Sequence, residues 1–354
     1  MKLYHLISLL IFSLSCFGLL MVSSASVVIA NRDFGDKWYY AKRQSLWLGL
    51  GTIAFLISVR IPLDFLDKNS TVLFLTSIAF LVLVLMPGLG STRWGASRWI
   101  NLGILSFQPA EAAKLTLCLY LSSLLKKPHA KFRAFITVLA SVCLLVAFEP
   151  DLGTSLVLAS IGLCIYISTG RKMLSLVIPL VLSTALVTLF ILVSPYRRNR
   201  VKTFFDFTHD PLGASYQIRQ SLLGLGSGGI FGRGLGQSRQ KYEFLPETPT
   251  DSILSVIGEE LGLVGTASLA IAILWLITLG FKTASKTSNP FASSLASGVS
   301  SWIGVQSFLN MGSLTALVPL TGVPLPFISY GGSSLVILLF SAGILVNIAK
   351  NPKN

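Results

Sequence analysis

Three sets of ionisable residues stand where apolar sequence would not tolerate them without a reason. In Gln108-Pro109-Ala110-Glu111-Ala112-Ala113-Lys114, Pro109 suits the first turn of a helix, and Glu111 and Lys114 share one face three residues apart, just inside an apolar run. An ionised group at the centre of a bilayer costs about 2.5–3.5 kcal/mol on insertion scales. The pair is read either as an ion pair that orients two helices or as the floor of a polar cavity, with Lys114 meeting an anionic substrate. In Glu149-Pro150-Asp151-Leu152-Gly153-Thr154, Asp151 can cap the following helix, hold a cation or orient a substrate hydroxyl. In Leu245-Pro246-Glu247-Thr248-Pro249-Thr250-Asp251, the spacing predicts Thr248 at N-cap, Pro249 at N1 and Asp251 at N3 of a helix. A carboxylate there is acidified by the helix terminus, whereas burial pushes it the other way.

Cations and glycines cluster nearby in sequence. Arg197, Arg198, Arg200 and Lys202 fall within six positions, suited to a lipid headgroup or a pyrophosphate. Gly224–Gly236 carries seven glycines in thirteen residues, which lets backbone approach a ligand closely. Parts of it match G-x-G-x-x-G, but with no strand context a dinucleotide fold is excluded. Ser238, Gln240 and Lys241 follow, with Arg233 and Arg239, a set suited to a bulky, anionic, sugar-bearing ligand. Pro319–Ser334, which includes Ser329 and Tyr330, has three prolines and three glycines. Irregular backbone at membrane depth must be covered by protein or line a wet cavity.

The elements that must position these groups are membrane spans. Of 354 residues, 53% are hydrophobic and 12% charged, with mean hydropathy +0.73, against about 25% charged in a soluble domain. A soluble enzyme is excluded, and the +14 charge points to topology signals or anionic lipid rather than nucleic acid. Ten apolar runs predict helices at about 4–29, 45–62, 70–87, 109–125, 133–148, 152–169, 173–194, 254–281, 292–312 and 332–349. The first is read as a retained span, not a cleaved leader. The fold class is an all-α, polytopic, single transmembrane domain over residues 1–354, with a long external segment at about 195–253 between helices 7 and 8.

With both termini cytoplasmic, the inside holds thirteen basic residues and two acids, leaving fifteen basic residues and twelve acids at the outer side. The basic inner loops follow the positive-inside rule, and the mixed outer face is where chemistry is expected. Cys16, Cys118, Cys143 and Cys164 sit in apolar runs and are read as packing residues, and His5, His129 and His209 are too scattered for a metal site.

Taken together, Arg98-Trp99-Ile100, Gln108–Lys114, Pro150–Thr154, Ser227–Lys241, Leu245–Asp251, Gly258–Gly262 and Pro324–Ser334 resemble, in order and over most of the chain, the SEDS family (shape, elongation, division and sporulation), whose members include RodA and FtsW. Ser24-Ala25-Ser26, Gly35-Asp36, Lys42-Arg43-Gln44, Gln108-Pro109-Ala110-Glu111, Gly236–Lys241 and Asn310-Met311-Gly312 look closer to the FtsW, or division, branch. There are departures from the family pattern: Ser106 stands where Arg is often found, Glu149 where Gln is frequent, Ser215 where Gly is usual, and Ser252-Ile253-Leu254 where Phe-Ile-Phe is commoner. Ser106 puts in doubt an outer-face contact to substrate phosphate.

The resemblance implies an inverting peptidoglycan glycosyltransferase of the bacterial cytoplasmic membrane, at the division septum. It polymerises lipid II onto a growing glycan strand on the outer face, with a class B penicillin-binding protein and other division proteins as partners. Asp251 matches the family's essential carboxylate and is the expected general base; Glu111 and Lys114 match its functional pair. Expected substrate contacts are these two with Lys42, Arg43, Arg98, Asp151, Arg197, Arg200, Ser238, Gln240, Lys241, Glu247, Ser329 and Tyr330. A divalent cation (Mg or Mn), with unknown ligands, is the expected cofactor, with no organic cofactor. The alternatives are a lipid II flippase, which also fits ten spans and a broken last helix, a RodA-type elongation polymerase, and a non-enzymatic division scaffold.

Overall fold

The computed structural model of the chain describes residues 2–86, 91–93, 96–102, 105–177, 181, 188, 192, 198, 202–206, 214–242 and 244–352. A helix stands at nine of the ten predicted spans: α1 Leu3–Phe34, α2 Tyr39–Ser58, α3 Leu63–Leu85, α4 Pro109–Leu125, α5 Phe132–Phe148, α6 Leu152–Ser168, α8 Ile253–Lys286, α9 Pro290–Leu314 and α10 Gly332–Lys350. The remaining predicted span, 173–194, opens with a 3-10 turn at Met173–Leu176 and lies mostly outside the described residues. A further helix, α7 Ala214–Ser227, falls in the segment predicted to be external. Among the described residues, α1, α3, α8 and α10 are long and apolar enough to cross a membrane, and α5 and α6 are shorter apolar helices.

The helices divide by what surrounds them. α4 and α9 are buried on most faces, so they form the centre of the bundle. α2 and α3 expose Leu46, Leu50, Ile53 and Ile57, and Phe65, Val72 and Leu75, a surface suited to lipid rather than water. α2 packs against α10, α9 against α6 and α8, and α3 against α4. The α2–α10 contact is close because small residues line it, and Asn347 of α10 donates to the carbonyls of Ser58 and Ile61 at 3.3 and 2.7 Å, where α2 ends.

Two features depart from the expected all-helical pattern. The first is a small antiparallel sheet between α3 and α4, with β1 Ser91–Arg93, β2 Ala96–Leu102 and β3 Leu105–Phe107 in the order β1-β2-β3. The second is a break in α8 at Gly262, whose φ of 67° and ψ of −163° lie outside helical space. The break removes hydrogen bonds that the glycine-rich loop replaces. Arg233 and Gly234 donate to the carbonyls of Glu259 and Glu260 at 2.9 and 3.0 Å, while Leu263 and Val264 donate to Gly229 and Ile230 at 2.9 and 3.0 Å. A Cβ on Gly232 would lie 2.2 Å from the Glu260 carbonyl oxygen, and one on Gly262 would lie 2.3 Å from the Gly232 nitrogen. Glycine here is therefore required by close backbone contact, not by a ligand.

Gly262→Ala combines that clash with a backbone conformation costing about 1–3 kcal/mol for a non-glycine residue. Its thermal unfolding midpoint in detergent should fall by several degrees, whereas Gly49→Ala, on an α2 face where a Cβ meets nothing within 4 Å, should unfold as wild type does.

Candidate active site

The site is built on an irregular segment between α9 and α10. The chain from 315 to 331 is non-helical, and its part from 323 to 329 is largely buried, so side chains of neighbouring helices must satisfy that backbone. Gln306 and Asn310, one turn apart on α9, do so. Gln306 Nε2 donates to the Pro324 carbonyl at 2.9 Å, and Asn310 Nδ2 donates to the Val323 carbonyl at 2.9 Å and to the Asp251 carbonyl at 2.8 Å. Ser329 Oγ accepts from the Leu325 amide at 2.8 Å, and the Tyr330 amide donates to the Pro249 carbonyl at 2.8 Å. Asp251, which precedes α8, is thus tied to the loop preceding α10 through α9.

The Asp251 side chain has Thr250 and Gly322 beside it. Thr250 Oγ1 lies 3.1 Å from Asp251 Oδ1, 2.9 Å from Glu247 Oε2 and 3.1 Å from the Glu247 carbonyl, so a single hydroxyl proton bridges the two residues. Gly322, at φ 69°, lies close to the carboxylate, and a Cβ there would sit 3.5 Å from Asp251 Oδ2. The predicted capping box does not form. α8 starts at Ile253 behind Ser252, whose side chain makes no cap bond, and Thr248 Oγ1 donates instead to the Leu245 carbonyl. The turn closes on Glu247, whose carbonyl accepts from the Thr250 and Ser252 amides. Asp251 therefore stands outside the helix terminus.

Lys114 lies behind this arrangement, 1% exposed. Its Nζ donates to Glu111 Oε1 and Gln306 Oε1, both at 2.8 Å, and sits 4.9 Å from the Trp302 ring centre. Glu111 Oε2 accepts from Ser334 of α10 at 3.1 Å, and Trp302 Nε1 donates to Gln306 Oε1 at 2.7 Å. The pair thus joins α4, α9 and α10, in the geometry of the helix-orienting reading, and holds the amide that holds Pro324. Gln306 was not singled out in the sequence, and Asn310 only within the Asn310-Met311-Gly312 resemblance. The signal was two polar side chains four apart inside an apolar span.

At the turn between α5 and α6, Asp151 caps α6, accepting from the Thr154 amide at 3.0 Å and its hydroxyl at 2.9 Å. Arg98 of β2 donates through Nε to the Glu149 carbonyl at 2.9 Å, reaches the Pro150 carbonyl, and lies 3.9 Å from Asp151. Glu149 is 1% exposed, and among the described residues neither carboxylate oxygen has a hydrogen-bond partner. Burial first, then the Asp151 charge, push its carboxyl up to about 8, with Arg98 opposing.

Comparison with known proteins bears on what this site is for. Residues 4–354 match the FtsW/RodA/SpoVE family model, described as a cell cycle protein. The chain belongs to this family. It is 38% identical over 358 residues to the probable peptidoglycan glycosyltransferase FtsW of Geobacter metallireducens, covering 99% of this chain and 96% of that one. A chain from a solved peptidoglycan synthase complex, in which polymerisation and crosslinking are coordinated, superposes with a TM-score of 0.80 at 27% identity, covering 98% and 97%. The rod shape determining protein RodA of Thermus thermophilus superposes with a TM-score of 0.72 at 27% identity, covering 98% and 97%. The chain is thus a multi-pass membrane protein with the SEDS fold.

The other residues expected to touch substrate in this SEDS chain have varied positions. Lys42 pairs with Asp36 at 2.9 Å, which holds the Asp36 carboxyl below its usual range, and Arg43 lies over Tyr39. Tyr330 meets Tyr40 edge-on at 4.9 Å. Ser238, Lys241 and the Gln240 backbone amide are committed to the α8 break: Ser238 Oγ and the Gln240 amide donate to Glu259 at 2.6 and 3.1 Å, and Lys241 donates to Glu260 at 3.3 Å, while the Gln240 side-chain Oε1 has no hydrogen-bond partner among the described residues. Ser24 of α1 also donates to Glu260, at 2.8 Å. Arg197 and Arg200 lie outside the described residues. The cysteines are free, with Cys118 buried.

Removing one partner of a buried pair strands the other charge, at a cost of about 3–5 kcal/mol. Lys114→Met should therefore lower the unfolding midpoint more than the double change Glu111→Leu with Lys114→Met. Glu149 gives a pH signature. An acid whose ordinary value is 4.5 but which is neutral in the fold up to about 8 costs progressively more stability as pH rises between those values. Glu149→Gln removes that term, so its advantage in midpoint over wild type should be small at pH 5 and widest near pH 8.

Proposed function

We propose that this chain is a peptidoglycan glycosyltransferase that joins lipid II units into glycan strands at the outer face of the cytoplasmic membrane during cell division, with Asp251 as general base. The observation that carries the reading is the placement of Asp251: a carboxylate outside the helix terminus, with its backbone fixed by Asn310 and Gly322 beside its Oδ2. The identity to an FtsW supports the glycosyltransferase activity and the division branch.

A sugar hydroxyl is a poor nucleophile, and a positioned carboxylate that accepts its proton contributes typically 10²–10⁴-fold. The acceptor hydroxyl gives its proton to Asp251 and attacks the anomeric carbon of the donor. The bond to undecaprenyl pyrophosphate breaks from the opposite side, which inverts the centre. Thr250 orients Asp251, and through Glu247 it links a second carboxylate to the site. The leaving pyrophosphate needs positive charge; Lys42, Arg43 and Arg98 are candidates beside the arginines of the 197–202 segment. Lys114 acts through Gln306 as a positioning residue.

Among the described residues, no three His, Cys, Asp or Glu side chains come together. A Mg or Mn ion would therefore rest on one or two carboxylates and the substrate's own phosphates, as such ions commonly do. Glu247 is the nearby carboxylate that could serve, and the ion would neutralise pyrophosphate charge. A class B penicillin-binding protein is the proposed partner, supported by the likeness to a chain from a complex that coordinates polymerisation and crosslinking.

The test is lipid II polymerisation by the purified chain with its transpeptidase partner, the partner's acyl-transfer serine blocked. Wild type should make glycan polymer. Asp251→Asn should fold with an unchanged unfolding midpoint and make at least a hundredfold less. Polymer from Asp251→Asn at the wild-type rate would overturn the base assignment. No polymer from wild type, with lipid II crossing liposome bilayers, would favour a flippase.

A further inference from the structure

At the end of the bundle away from Asp251, the loop after α4 and the end of α6 meet the start of α9 around a cavity of about 380 Å³, a size typical of small-ligand sites. α9 sets the separation. Pro290 begins the helix, and Asn310, which holds Asp251, is twenty residues further on, or about 30 Å along its axis. The cavity is lined by two cations, Lys126 and Arg171, and four hydroxyls, Ser168, Thr169, Ser293 and Ser294, with no acid among its lining residues.

Arg171 is fixed in place without being neutralised. It donates to the carbonyls of Ala130, Lys127 and Leu125 at 2.8, 2.9 and 3.4 Å, and among the described residues it has no carboxylate partner. Lys126 pairs with Asp67 of α3. The first amides of α9 are capped by Asn289, so a ligand would be held by side chains, with the positive end of a 25-residue helix adding to the field. Lys127, Lys131 and Lys172, exposed on the same two loops, and Arg133, exposed at the start of α5, extend that field outward. A fixed guanidinium, an ammonium shared with Asp67 and the Ser294 hydroxyl suit a tetrahedral oxyanion.

We propose that this cavity binds a phosphate-bearing anion, either the headgroup of an anionic phospholipid on that side of the membrane or a phosphate from solution. The site is separate from the polymerisation chemistry and does not depend on the role of Asp251. Basic clusters beside membrane spans attract anionic lipid in general; the cavity makes the narrower claim that one anion is held at a defined place.

The test uses the full-length chain in nanodiscs of phosphatidylcholine, with or without phosphatidylglycerol, and separately in detergent titrated with inorganic phosphate against chloride at equal ionic strength. The readouts are the unfolding midpoint and lipid retention in native mass spectrometry. For wild type, phosphatidylglycerol, inorganic phosphate or both should raise the midpoint by several degrees. A rise with phosphatidylglycerol alone assigns a lipid headgroup, and a rise with inorganic phosphate assigns an anion from solution. Ser294→Leu, which fills the cavity without changing charge, should abolish the rise, as should Arg171→Gln. Should Arg171→Gln fail to fold, Ser294→Leu decides. Lys127→Gln with Lys131→Gln, outside the cavity, should retain most of it. A full rise in Ser294→Leu, or no rise for wild type with either probe, would overturn the proposal.

Discussion

The constraint on which the rest of this structure depends is the buried, non-helical backbone between α9 and α10. Within an apolar bundle each unpaired carbonyl or amide costs several kcal/mol, so such a segment persists only where side chains reach it. Gln306 and Asn310 supply amides to Pro324 and Val323, and Ser329 supplies its hydroxyl oxygen to Leu325. Because Asn310 also holds the Asp251 carbonyl, satisfying the loop and positioning the carboxylate are one arrangement. The buried ion pair serves the same end. Lys114 orients Gln306, and Glu111 orients Lys114.

The break in α8 follows the same logic on the other side of Asp251. Opening a helix at Gly262 exposes two carbonyls and two amides, and the glycine-rich loop pairs with all four. Glu259 and Glu260, brought inside by the first turns of α8, are then met by Arg233, Ser238, the Gln240 amide, Lys241 and Ser24. The short helical piece Ile253–Leu261 is thereby locked to α1 and to the loop, which fixes the direction in which Asp251 leaves it. The protein thus uses two interrupted helical regions to hold one carboxylate, each interruption paired by polar groups from elsewhere in the chain.

Much of this was legible in the amino-acid sequence because hydropathy is a local property. Runs such as 133–148 and 332–349 correspond closely to α5 and α10, Asp151 caps α6 as its spacing predicts, and the prolines and glycines of Pro319–Ser334 mark the irregular segment. What was not legible depends on partners distant in sequence. Gly262 reads as a tolerated glycine in a helix until Gly232 is placed against it. Thr248-Pro249-Thr250-Asp251 has the composition of a cap, but the turn closes on the Glu247 carbonyl and delays the helix to Ile253. Ser238 and Lys241 read as ligand contacts because Glu259 and Glu260, their partners, lie about twenty residues away. The strands from Ser91 to Phe107 are short, and their punctuation by Gly95 and Gly103 is a weak local signal beside the spans that flank them.

The central claim is that Asn310 places Asp251 for catalysis by holding its backbone. A misplacement near 1 Å can cost about a hundredfold in rate. The most direct measurement is single-turnover lipid II polymerisation by Asn310→Leu alongside its affinity for lipid II. The account predicts a rate lower by about that factor with affinity retained. A wild-type rate in a folded Asn310→Leu protein would contradict it.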